Sequence, residues 1–284
     1  MKKRRISFGQ VAAFLFLSLW ALTTIYPIIW VMINSFKDKK IIVSDSFSLP
    51  SGAKFSMANY KLAFERLDVL GAYRNSLIIS FSVAVVVILL AGMASYALVR
   101  YTFRGRDFLN ALVIAGMMFP VFATIIPVFQ LMSKWGIVNT SDLWKSLLAT
   151  ALPQIAGNMS FAIVVLSGYI KGLPIELEES AYMEGANIFQ IFGKVVMPLS
   201  KPSFATVGIF SFLWSYNDLF TQSFMLRGNQ YGITRLLNEL TSREGTNYGL
   251  MAAAVTLVVI PILIVYIFLQ KYIIKGMTAG AIKG

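Results

Sequence analysis

The sequence contains no cysteine and no histidine, and only 13% of its 284 residues are charged. Without thiols there is no disulfide, no thiolate-bound metal and no cysteine nucleophile. Without imidazole there is no Ser-His triad, no His-ligated haem and no Cys/His zinc site. Soluble domains usually carry about 25% charged residues. This chain is instead 57% hydrophobic, with a mean hydropathy of +0.70. A water-facing shell cannot cover that much apolar surface, so part of the solvent is lipid.

The charges that do occur are segregated. None falls within 6–36, 75–99, 108–133, 146–170 or 245–270, and 202–226 is interrupted only by Asp218. Each stretch exceeds the ~20 residues that an α-helix needs to cross a bilayer. The expectation is an all-α polytopic membrane protein, one domain over 1–284. Its six transmembrane helices should lie at about 10–36, 75–99, 108–133, 146–170, 202–226 and 245–270. The first span is too long for the apolar core of a signal peptide and has no small-residue cleavage pattern before Lys37. Lys2, Lys3, Arg4 and Arg5 place the N-terminus in the cytoplasm by the positive-inside rule. Six crossings then return the C-terminus to the same side. The net charge of +12 does not describe a nucleic-acid surface. Its basic residues flank apolar spans, where long side chains snorkel to headgroups.

A G-x-x-x-x-G-K-[ST] phosphate loop is missing, so any such ATP chemistry belongs to another chain. Nucleophiles, acids and metal ligands do not cluster as an active site requires. No catalytic or metal residue is assigned, and the chain is not expected to be an enzyme. Pro27, Pro120, Pro127, Pro153 and Pro261 mark the spans, and the third, holding Pro120 and Pro127, should be bent.

Between the fourth and fifth spans lies 171–201, too polar to cross and too patterned for a plain connection. Pro174 suits the first turn of a helix, where a missing N–H costs nothing. Glu176, Glu178 and Glu179 follow in the opening turns, where the helix dipole favours negative charge. Gly185 is placed to end that helix in a left-handed conformation. Asn187 caps a second helix, whose Ile188, Ile191, Phe192 and Val195 recur as an apolar stripe. Pro198 is expected to stop it. Glu179, Tyr182 and Met183 share one face of the first helix, a surface suited to a groove on a soluble partner. An amphipathic hairpin that only braces the bundle fits the same pattern, and the residues alone leave both readings open.

This loop resembles the cytoplasmic signature of ABC importer permeases, E-A-A-x3-G-x9-I-x-L-P. Glu179, Ser180 and Ala181 stand at E-A-A, and Gly185 at the glycine. Val195, Met197 and Pro198 stand at I, L and P with the spacing intact. The likeness covers nearly the whole chain and is closest to the sugar branch, the MalG-like permeases. Arg100-Tyr101-Thr102-Phe103-Arg104-Gly105-Arg106 is similar to that branch's first inner turn. Pro127-Val128-Phe129 and Gly136-Ile137-Val138-Asn139-Thr140 are similar to its third span and outer turn. Trp214-Ser215-Tyr216-Asn217-Asp218 resembles a fifth-span W-N-[DE] element, with Tyr216 replacing the usual Trp. Gln270-Lys271-Tyr272 and the tail from Gly276 to Gly284 resemble its C-terminus.

The resemblance implies a type I ABC importer transmembrane fold (MetI-like) with a cytoplasmic coupling-helix loop at 171–201. It implies a permease for a carbohydrate, an oligosaccharide, in the cytoplasmic (inner) membrane of a prokaryote. The implied partners are a second, MalF-like permease, two ABC ATPase subunits, an extracytoplasmic sugar-binding protein and the lipid bilayer, without nucleic acid. ATP and Mg would sit on the ATPases, with no cofactor bound by this chain. Glu179, Ser180, Ala181, Tyr182, Met183, Gly185 and Pro198 would form the ATPase-coupling site. Trp214, Tyr216, Asn217 and Asp218 would line the translocation path, offering aromatic faces and polar groups to sugar. The region 227–243 would reach into the binding protein's cleft. Asp218 is equally read as the mark of a span that ends early. Two other functions compete: the same kind of permease for a different solute, such as glycerol phosphate, and a secondary carrier. The carrier leaves the loop without an explanation.

Overall fold

A computed structural model describes residues 7–281, other than 229, 237 and 239–246. The basic cluster Lys2–Arg5, the last residues Ile282–Gly284 and part of 227–243 lie outside the described residues. Helices and turns make up what is described, with no strand among them. The chain forms two compact units, Met1–Asp68 with Leu237–Ile260, and Val69–Leu236 with Pro261–Gly284.

The first unit holds α1 (Phe8–Asn34), α2 (Lys39–Ser44), a 3-10 turn (Gly52–Lys54), α3 (Ala58–Arg66) and the opening of the last helix, Tyr248–Ala281. Ser7 starts α1 through a reciprocal pair of bonds with Gln10, which satisfies two orphan donors of the first turn. The stretch after α1 is a small folded body. Lys37 is fully buried and donates to the carbonyls of Asp45 and Ser46 at 3.2 Å each. Burial pushes its ammonium below the usual lysine range. Asn59 Nδ2 donates to the carbonyls of Ser35 and Lys37 at 2.9 Å each. Phe36 packs on Phe55 and Tyr60. Gly249 lies against Asn59 and the Lys37 carbonyl so closely that a Cβ would come within 2.7 Å of both. Side-chain amides and an ammonium thus replace the backbone partners that irregular chain lacks.

The second unit is built on α4 (Val69–Arg100), α7 (Leu143–Ile170) and α10 (Lys201–Asn217), which pack on one another. Around them are α5 (Arg106–Met118), α6 (Val121–Lys134), α8 (Glu176–Met183), α9 (Ile188–Leu199) and α11 (Leu219–Met225). The core runs along Ile79, Val83, Val87 and Ala91 of α4, Ala162, Leu166 and Ile170 of α7, and Phe204 and Val207 of α10. Small residues bring the helices close. A Cβ at Gly92 would stand 2.7 Å from the Phe204 ring, and Ser95 Oγ donates to the Ile163 carbonyl at 3.1 Å. Packing rather than water exclusion holds such helices together in lipid. The last helix, α12 (Tyr248–Ala281), continues into this unit from Pro261.

Among the described residues, four helices are long and apolar enough to cross a membrane: Phe8–Asn34, Val69–Arg100, Leu143–Ile170 and Tyr248–Lys271. The other two expected spans are not single helices. Over 108–133, α5 and α6 meet at 106° around Phe119 and Pro120. Pro120 has no N–H to donate and pushes Phe119 into extended conformation, with φ −74° and ψ 120°. Pro127, by contrast, sits inside α6 without breaking it. Over 202–226, α10 ends at Asn217, and Asp218 begins a separate helix, α11.

Candidate functional site

The loop after α7 folds as a pair of short helices around a left-handed glycine. Gly185 has φ +86°, its N–H donates to the Tyr182 carbonyl at 3.0 Å, and Ala186 N–H donates to the Ala181 carbonyl at 3.1 Å. These two bonds form a Schellman stop, which satisfies the last carbonyls of α8. Asn187 then caps α9: Gln190 N–H donates to Asn187 Oδ1 at 3.0 Å, and Asn187 N–H to Gln190 Oε1 at 2.9 Å.

Pro198 does not stop α9. The helix runs through it to Leu199, and Ser200 N–H still bonds the Val196 carbonyl at 2.9 Å. A π turn over Phe192–Val196 widens the helix just before the proline and makes room for its ring. The same extra residue moves the buried position from the expected Val195 to Val196. Ile188, at the front of the expected stripe, is exposed. The chain leaves α9 at Ser200 and turns by 84° into α10.

The two faces of α8 differ in kind. Glu176, Leu177, Glu179, Ser180, Tyr182, Met183 and Glu184 are exposed, Met183 to 86%. Ala181 is half-buried and packs inward against the core, so it does not join that surface. Pro198 lies at the far end of α9, beside Lys201, Ile88 and Phe204 in a groove of about 480 Å³. The exposed surface is therefore Glu179, Ser180, Tyr182 and Met183, with Gly185 shaping the turn beneath it. Glu178 is the acid that points inward. Its Oε1 accepts from Arg100 Nε at 2.7 Å, and Arg100 Nη2 donates to the Leu173 carbonyl at 2.9 Å. Sequence reasoning saw Glu178 only as a helix-dipole acid and Arg100 only as the head of a turn, and nothing local links them.

The four residues expected on a translocation path do not gather. Trp214 and Asn217 are exposed on one side of α10, the former beside Phe161 and Phe210. Tyr216 faces inward, 2% exposed, with its hydroxyl lacking a hydrogen-bond partner among the described residues. Asp218 sits at the helix break, where Oδ1 accepts from Thr221 N–H at 3.0 Å and Oδ2 from Gln154 Nε2 at 2.8 Å. Gln154 Oε1 accepts from Ser215 Oγ at 2.6 Å, and Gln222 Nε2 donates to the Ser215 carbonyl at 3.2 Å. This polar seam ties α7 to the α10–α11 break. Nearby, Asn75 Nδ2 donates to the Tyr231 carbonyl at 3.2 Å and Ile233 N–H to Ser76 Oγ at 2.8 Å. The seam's glutamines and serines were missed because each is isolated in an apolar run.

Residues 84–279 match the family described as binding-protein-dependent transport system inner membrane component. The chain belongs to this family. Among the relatives of this permease, the diacetylchitobiose uptake system permease protein NgcG of Streptomyces coelicolor is 31% identical, covering 94% of this chain and 87% of that one. The galactooligosaccharides transport system permease protein GanQ of Bacillus subtilis is 30% identical, over 100% of this chain and 99% of that one. A solved bacterial ABC transporter involved in import of the acidic polysaccharide alginate has a chain with the same fold. The TM-score is 0.77 at 23% identity, over 95% of this permease and 99% of that chain. The protein is thus a multi-pass inner-membrane transport component with the ABC importer transmembrane fold, in a family of permeases.

Proposed function

We propose that this chain is the permease subunit of an ATP-driven importer of an oligosaccharide, and that α8 docks into a separate ATPase. The observation that carries the reading is the elbow: a helix anchored on one face by Glu178 and Ala181 while Glu179, Tyr182 and Met183 stand free on the other. Relatives named for diacetylchitobiose and galactooligosaccharides support the substrate class. A second permease completes the path, two ATPases hold ATP and Mg, an extracytoplasmic binding protein delivers the sugar, and this chain binds no cofactor. Both termini lie in the cytoplasm.

In this mechanism, nucleotide binding draws the ATPases together and α8 moves with them. α9, joined to α10 by an 84° turn, converts a lateral displacement of the elbow into a tilt of α10. That tilt carries Trp214 and Asn217 across the path. At the far end, the Gln154–Asp218 bond must follow or break. Glu179 meets a basic residue of the ATPase groove, a charged contact whose truncation costs about 2–5 kcal/mol.

The test is reconstitution of the permease with its partners in proteoliposomes. Glu179→Ala should leave the chain assembled in the membrane and reduce sugar uptake per ATP hydrolysed. Uptake at the full rate by that variant, or uptake by the purified chain without any ATPase, contradicts the reading. Binding assays on the cognate binding protein should show an oligosaccharide ligand; selective binding of glycerol phosphate would replace the substrate class.

A further inference from the structure

Arg100 closes α4, and Glu178 lies 78 residues later on the inward face of α8. Their side chains are only 11% and 10% exposed. The guanidinium is engaged at two points, Nε on the Glu178 carboxylate and Nη2 on the Leu173 carbonyl that precedes α8. An exposed ion pair would hold little against water. This one is desolvated, directional and two-pointed, so it fixes the angle of α8 as well as its distance from α4. Glu176, Glu179 and Glu184 are exposed, so the inward acid is a choice made by the fold and not by helix-end electrostatics. Tyr96 of α4, packed on Phe192 of α9 at 5.6 Å, braces the same corner.

We propose that Arg100 and Glu178 are positioning residues that pass motion of the coupling helix into α4. This rests on the reading of α8 as the ATPase-docking helix and adds a second route to it. Displacement of α8 reaches α10 through the covalent elbow and α9. It reaches α4, the helix packed against both α7 and α10, through this pair. With both routes intact α8 cannot swivel about its glycine end, and the bundle turns as one piece. With the pair removed, α8 still docks but slips, and ATP is hydrolysed without transport.

The chain has no cysteine, so Met183→Cys can be cross-linked to a cysteine in the ATPase groove with no competing thiol on this chain. The measurements are made on the reconstituted importer. Cross-linking at 183 should persist in E178Q and R100Q while sugar taken up per ATP falls about tenfold, within the usual span of coupling ratios. R100K, which keeps the charge but not the fork, should fall between. In the double variant R100M/E178L no charge is left buried alone. Its melting temperature in detergent should return towards that of the native chain while the ratio of uptake to ATP stays low. A native ratio in the cross-linked single variants overturns the proposal, and so does a ratio that recovers together with stability in the double variant. If Met183→Cys in the otherwise native chain gives no cross-link, the docking reading itself is what fails, and this inference falls with it.

Discussion

Substitution of Gly185 separates backbone strain from contact. A Cβ there would meet nothing within 4 Å among the described residues, which offer no steric objection to a side chain. The φ of +86° does: an L-residue held left-handed costs roughly 1–2 kcal/mol, while asparagine tolerates the region. Free energies of that size change a local opening equilibrium about five- to thirtyfold. Gly185→Asn should therefore be mild, Gly185→Ala should cost about 1 kcal/mol, and Gly185→Val at least as much as the upper figure of ~2 kcal/mol. Hydrogen–deuterium exchange of the 181–187 amides reads the opening, because the Gly185 and Ala186 N–H groups carry the Schellman bonds. Exchange should accelerate in the order Asn, Ala, Val, and uptake per ATP should decline in the same order. Exchange in the valine variant no faster than in the native chain would refute the strain argument. An asparagine variant as damaged as valine would refute it too, since the requirement would then be for space in the partner's groove.

Gln154→Leu leaves Ser215 Oγ and one oxygen of Asp218 without their partners. It should lower the stability of the detergent-solubilised chain by about 1–3 kcal/mol, read as a drop in melting temperature larger than that of an exposed control such as Asn217→Leu. Asp45 supplies a pH test. Lys54 Nζ donates to it at 2.7 Å, and that bond, with Ser48, holds its carboxyl at about 2, below the ordinary 3.8. Because the folded value is depressed, the contribution to the 45–54 turn is complete above pH ~3.8 and is lost as pH falls through ~2. A carboxyl NMR titration should show the low value, and Lys54→Met should return it towards the ordinary one.

Much of this architecture is written locally. Charge-free stretches name the spans because a charge in hydrocarbon is expensive wherever the rest of the chain goes. Gly185, Asn187 and Gln190 announce the elbow because a left-handed φ and a reciprocal cap are decided within a few residues. The carboxylates of α8 were equally visible, but not which of them turns inward.

What the tertiary fold alone decided is of another kind. A helix that is apolar on every side carries no stripe to say which side is buried, so the inward turn of Tyr216 and the exposure of Trp214 had to come from packing against α4 and α7. Pro120 broke its helix and Pro127 did not, because a proline's freed carbonyl is tolerable only where neighbouring groups or geometry accommodate it. The π turn that carries α9 through Pro198 is a settlement of the same sort. The meeting of Arg100 with Glu178 depends on two distant turns arriving at one corner of the bundle, and no window along the chain contains both.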